Sequence, residues 1–118
     1  MTIQEIATGL VDLLRSGYFE KAQKTFLAED VVSIEPNGSI FPQETEGLSN
    51  ILQNGANFRA NIDKVNHLEI SDPLVTDNTI AILFSFEADT SDKGRISFKE
   101  VCVFLVKGEK IFQEIYYY

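Results

Sequence analysis

The hydrophobic period of this chain changes once, near residue 64, and that change restricts its fold more than any other feature. Before it, apolar residues recur at helical spacing; after it, they alternate with polar ones to the end. Thr2-Ile3-Gln4-Glu5 spells a capping box. Ile3, Ile6, Ala7, Leu10, Leu13 and Leu14 then share one helical face, which predicts a first helix from Ile3 to Ser16. Gly17 stops it. Phe19, Ala22 and Phe26 repeat the spacing with Glu20, Lys21, Gln23 and Lys24 outward, a short second helix closing near Leu27. Glu29 to Pro36 is rich in β-branched residues and ends on a proline that cannot donate to a ladder, so a short edge strand is expected. Residues 37–47 read as loop. Ile51, Leu52, Gly55, Phe58, Arg59 and Ile62 predict a third helix, weakened by Gly55 and by asparagines.

After the switch, Val65, His67, Glu69 and Ser71 alternate with Asn66, Leu68, Ile70 and Asp72 until Pro73 interrupts. Asp77-Asn78 predicts a tight hairpin turn through positive φ. Thr79–Asp89, Ile96–Val106 and Lys110–Tyr118 follow as three long antiparallel strands, reversed at Thr90–Gly94 and Lys107–Glu109. Helices first and a strand meander afterwards predict an α+β domain, with helices laid on the concave face of a curved antiparallel sheet. Side chains do not fill such a concavity completely. The space left between the layers is a ligand-sized hollow, and function is expected there.

Composition narrows the partners. The 118 residues suffice for one domain, 1–118, and carry a formal charge of −8, with −4 on each side of residue 60. No basic lobe is concealed, so nucleic acid and anionic membrane are not expected as partners. No window approaches the roughly 18 apolar residues of a membrane span, and Met1–Glu5 does not open an export signal. Cys102 is alone and cannot form an internal disulfide, which points to a reducing, cytoplasmic setting. With a single histidine and a single cysteine, no transition-metal site is expected. The glycine-rich phosphate loops are missing too, so no cofactor is expected.

The order of these elements, with particular residues, resembles the nuclear transport factor 2-like superfamily. Its cone-shaped, cystatin-like fold is shared by ketosteroid isomerases and SnoaL-like polyketide cyclases. The matching pieces are Ser16-Gly17 between the first helices, Phe26 to Val31 entering the first strand, and Glu35-Pro36 ending it. Gly47-Leu48 opens the third helix, and Gly108 to Ile111 turns into an aromatic-rich last strand. The resemblance places Glu35 where the isomerases carry their catalytic aspartate. It places Leu10 and Val101 near their two oxyanion donors, so neither donor is expected here.

Glu35, desolvated in a hollow, would gain a pKa suited to taking a proton next to a carbonyl; otherwise it is a solvated acid at a strand end. By strict alternation Phe112, Glu114, Tyr116 and Tyr118 share one face of the last strand and Ile111, Gln113, Ile115 and Tyr117 the other. Similarity to the isomerases puts the first set inward, with Glu114 held protonated as a donor and Tyr116 able to stabilise an enolate oxygen. The alternative packs the other face inside and leaves Glu114 in water or at a dimer contact. Phe84, Phe86, Val101, Val103 and Tyr118 are expected to wall the substrate, or to be ordinary sheet core and edge cover. Lys99 and Glu100 are read as outward charges, His67 as a surface imidazole and Cys102 as a small buried group. Three functions remain open. One is an acid–base enzyme acting on a small hydrophobic carbonyl compound; another is a non-catalytic pocket for an apolar ligand; the third is a homodimer working through its sheet face.

Overall fold

The computed structural model describes residues 1–118 as three helices packed on a curved mixed sheet. Helix α1 (Ile3–Arg15) starts on the predicted capping box. The Glu5 N–H donates to Thr2 Oγ1 at 3.1 Å, and the Thr2 N–H donates to Glu5 Oε1 at 2.8 Å. Its apolar stripe buries Ile6, Ala7, Leu10 and Val11 against the sheet. Its last turn is tied down by Arg15, whose guanidinium donates to the Ile70 carbonyl at 2.9 Å and to Asp72 Oδ1 at 2.8 Å. Helix α2 (Phe19–Phe26) crosses close by, because Gly9 lacks a side chain: a Cβ there would stand 2.7 Å from the Phe26 ring.

Strand β1 (Leu27–Ile34) follows α2 without a loop. It is not an edge strand, and the sheet is not wholly antiparallel. β1 pairs antiparallel with β2 (Glu44–Glu46), a short strand within the segment expected as loop, and parallel with β7 (Lys110–Tyr117). Pro36 does not disturb this, since it lies beyond Ile34, the last paired residue of β1. Helix α3 (Leu48–Ala60) ends before Ile62, which already pairs with Thr90 as the first residue of edge strand β3 (Ile62–Ile70).

After Pro73, β4 (Leu74–Val75) pairs with β5 (Thr79–Thr90). The Asp77-Asn78 turn forms without positive φ. Instead, Thr76 Oγ1 accepts from the Thr79 N–H at 3.1 Å, a side-chain bond that stands in for left-handed backbone. β5 pairs along its whole length with β6 (Gly94–Lys107), which pairs with β7, giving the order β2-β1-β7-β6-β5-β3. One irregularity decides the site. Val106 faces Ile111 but Leu105 faces Gln113, so Phe112 is an extra, bulged residue. Ile111 and Glu114, placed on opposite faces by simple alternation, are therefore both buried, and Phe112 turns to the surface.

Candidate functional site

Three neighbouring strands change character along their inward faces. β1 presents Leu27 and Val31, then Ser33 and Glu35; β7 presents Ile111, then Glu114 and Tyr116; β6 presents Val106 and Phe104, then Cys102 and Glu100. Register aligns the change, because Glu114 lies between Ser33 of β1 and Phe104 of β6. Where the residues are apolar, α1 fills the concavity. Where they turn polar, a cavity of about 170 Å³ remains, lined by Glu35, Glu100, Glu114 and Tyr116 among mostly apolar neighbours.

The apolar wall is aromatic. Phe84 and Phe86 of β5 and Phe98 of β6 line the cavity, with ring centroids 5.5–6.0 Å apart. Phe19 of α2 and Phe58 of α3 close on them from the helical side, at 6.0 Å from Phe84 and Phe86 respectively. Such tilted and stacked rings give the hollow a continuous apolar wall.

Against this wall stand three carboxyls. Glu35, Glu100 and Glu114 are only 8%, 7% and 4% exposed. Burial is the main cause of raising all three from the usual carboxylate range to about 7, since desolvation disfavours the charged form. For Glu35 the charges of Glu100 and Glu114 add to the rise, and the Tyr118 hydroxyl opposes it, donating to Oε2 at 3.2 Å. That hydroxyl also lies 3.2 Å from Ser39 Oγ, so Ser39, Tyr118 and Glu35 form a relay along the β1 end of the hollow. The Glu35 N–H donates to the Gln43 carbonyl at 2.8 Å, which fixes the backbone carrying the acid. Around Glu114, the hydroxyls of Tyr116 and Ser33 favour the charged form against burial. Tyr116 is pushed well above the usual phenol range by burial and then by Glu114, so it stays a hydrogen-bond donor throughout the working pH range.

The structure thus brings Glu35, Glu114, Tyr116, Phe84 and Phe86 to one cavity, with Tyr118 bonded to Glu35 at its margin. Val101 and Val103 do not join them. β6 pairs with β5 so that Glu100 faces Phe84 and Cys102 faces Ile82, which sends 101 and 103 to the convex face; Val101 is 42% exposed. The inward residue at that level is Glu100, which had been expected outside. One sequence signal could have found it: Lys99 and Glu100 are adjacent in a strand, so one of the two must point inward. His67 stands on the outer edge strand, 3.8 Å from Glu69, away from the cavity. Cys102 is buried, and its thiol is raised well above the ordinary value, so it is not a nucleophile. No group of histidine, cysteine and acidic residues is arranged to hold a metal ion, and no helix is long and apolar enough to cross a membrane.

Known proteins share this fold. A protein from Mesorhizobium loti, described provisionally as a SnoaL-like polyketide cyclase, superposes with a TM-score of 0.90 at 29% identity over 100% of both chains. A Xanthomonas campestris protein with a cystatin-like fold and unknown function gives 0.81 at 14% identity, over 99% of this chain and 90% of its own. A Catenulispora acidiphila protein with a ketosteroid isomerase-like fold, solved in complex with trimethylamine, gives 0.73 at 20% identity, over 97% and 85%. At those identities the last two show the fold alone. No curated protein sequence matches the chain. The family model of the SnoaL-like domain matches residues 1–118, and the chain belongs to the SnoaL-like family.

Proposed function

We propose that this SnoaL-like chain holds a small hydrophobic carbonyl compound in its hollow and moves a proton on it, with Glu35 as the base. One observation carries the reading: the acid preceding Pro36 is buried and lines a mainly apolar cavity, and that burial pushes its carboxyl up to about 7, where a carboxylate is a competent base in neutral solution. Glu35 takes the proton from the carbon next to the carbonyl, and the electron pair moves to the carbonyl oxygen. Tyr116, or Glu114 in its protonated form, donates a hydrogen bond to that oxygen. Return of the proton to another carbon is an isomerisation. Attack of the enolate carbon on a second carbonyl is a cyclisation, and loss of a β-hydroxyl as water is a dehydration. Phe84 and Phe86 contribute the apolar contacts, and Tyr118 holds Glu35 in place.

The test is exchange of the α-hydrogens of hydrophobic ketones for deuterium, followed by NMR in D2O. The native chain accelerates exchange, and Glu35→Gln abolishes the acceleration while leaving ketone binding intact. Equal exchange by both proteins rules Glu35 out as the base.

The reading includes a second copy of the chain as partner. Register aligns Leu83, Val101 and Tyr117 across the convex face, with Ala81, Val103 and Ile115 beside them, and Tyr117 is 56% exposed. A coherent apolar stripe across three strands is the type of surface that self-associates. It sits behind the cavity wall, so dimerisation would stiffen the strands that carry Glu100 and Glu114 without covering them. Val103→Lys is expected to convert the dimer to monomer in sedimentation; an unchanged sedimentation coefficient rejects this face. A cytoplasmic setting belongs to the same proposal and is supported by the lone thiol of Cys102.

A further inference from the structure

Two buried acceptor atoms of the hollow receive no hydrogen bond from the protein: Oε2 of Glu100 on β6 and Oε1 of Gln23 on α2. They approach the cavity from its two layers, the sheet and the helices. The other oxygen of Glu100 has the Cys102 thiol, a weak donor, at 3.6 Å, and the Tyr118 hydroxyl, which donates to Glu35, favours the charged form of Glu100 as well. A buried acceptor left without a donor bears its full desolvation penalty, so the best ligand for these walls brings N–H groups.

Charge points the same way. Three glutamates line the cavity, and Arg59 is the single basic residue beside them. Its guanidinium lies back along α3 against Gly55, and the acid it favours is Glu20, outside the carboxyl cluster. The phenylalanine rings complete the set, because the face of an aromatic ring attracts an organic cation and repels an anion.

We infer that the hollow takes an organic ammonium ion, its apolar body against Phe84, Phe86 and Phe98 and its N–H groups donated to Glu100 Oε2 and to the Gln23 carbonyl. The inference rests on the first half of the preceding reading, that the cavity holds a small molecule, and not on the proton transfer. An ammonium group at Glu100 leaves Glu35 free to act on a carbonyl of the same molecule.

The pH dependence follows from the groups that face Glu100. These are Glu114 and Tyr116 from β7 and Tyr118 just beyond it, Cys102 from its own strand, Glu35 just beyond β1, and Gln23 and Arg59 from the helical layer. The three carboxyls ionise near 7, whereas an alkylammonium stays charged well above that. Ammonium binding therefore strengthens from pH 6 to pH 8 and expels protons from the hollow on the acidic side of that range.

Calorimetric titration of the full chain with 2-phenylethylamine, 2-phenylethanol and 3-phenylpropionate separates charge from shape. The amine is expected to bind at least about tenfold more tightly than the alcohol at pH 8, the carboxylate most weakly, and the advantage of the amine to shrink at pH 6. Glu100→Gln brings the amine down to the level of the alcohol, and Lys99→Gln, at an exposed position on the other face of β6, leaves its preference in place. An amine no tighter than the alcohol, an affinity that falls as pH rises, or a Glu100→Gln chain that keeps the preference overturns the inference. The ligand and pH comparisons use the unaltered chain, so a misfolded variant does not shelter the claim. Amine binding without α-hydrogen exchange removes the proton-transfer reading alone, and exchange without amine preference removes this inference alone. Failure of all three compounds to bind removes both.

Discussion

The same three strands build the most tightly packed part of this molecule and its least comfortable part. At the filled end of the concavity, Ile6, Val31, Ile80 and Ile111 are fully buried and every contact is apolar. At the hollow end, three or four residues from Val31, Phe104 and Ile111, the inward positions hold glutamates that have lost their water and found few partners. The ladder runs through both ends, and on β7 the bulge at Phe112 marks the passage from one to the other. The difference teaches that the scaffold's stability is concentrated where α1 covers the sheet, and that the acids are carried at a cost a purely structural core would avoid. Real proteins break local rules of this kind at functional sites.

The largest effect expected from disturbing this contrast is kinetic. Glu35→Gln should slow α-hydrogen exchange by about 10²–10⁴-fold, measured by NMR. Next comes the filled end. Ile6→Ala should cost about 3 kcal/mol in denaturant unfolding, through lost transfer energy and the cavity left behind. The hollow end should respond in the opposite direction. Glu114 has its folded value raised to about 7, so between the unfolded value of 4.5 and 7 the folded chain binds more protons than the unfolded one. Stability from this source is complete below pH 4.5 and is lost as pH rises through 7, and Glu35 and Glu100 have the same sign. Glu114→Gln, which cannot ionise, should therefore stabilise the chain by about 2 kcal/mol at pH 8 and change it little at pH 4.5, read from urea midpoints at the two pH values. The smallest effect belongs to Tyr118→Phe. Losing the hydroxyl that donates to Glu35 should move the Glu35 titration above its native midpoint by less than about one pH unit, with the fold unchanged.

Much of this contrast was legible in the residues, and what was not has identifiable causes. The capping box at Thr2, the helical stripe of α1 and the β5–β6–β7 meander follow from local chemistry and period, and all three formed. The parallel pairing of β1 with β7 joins residues more than eighty positions apart, and nothing local encodes it. β2 has only three residues, too few to show a period. Around the hollow, Glu35 was found through the resemblance to the isomerases rather than through its spacing. Glu100 was missed because a carboxylate in mid-strand reads as solvated, although it is the single charge on a face that otherwise carries Ile96, Phe98, Cys102, Phe104 and Val106, while Arg95, Lys99 and Lys107 share the other; reading Glu100 outward also turned Val101 and Val103 inward. The inward turn of Glu114 was one of two readings and came from the resemblance alone, and Phe112 was grouped with it because a β-bulge leaves no mark in the pattern of alternation.

The claim on which the rest depends is that Glu35 faces a mainly apolar cavity and ionises near neutrality. Carbon-detected NMR of the side-chain carboxyls from pH 4 to pH 9, with Glu35→Gln to assign the signal, measures this directly. The account predicts a midpoint at about 7. A midpoint near 4.5, the value of a solvated glutamate, would contradict it.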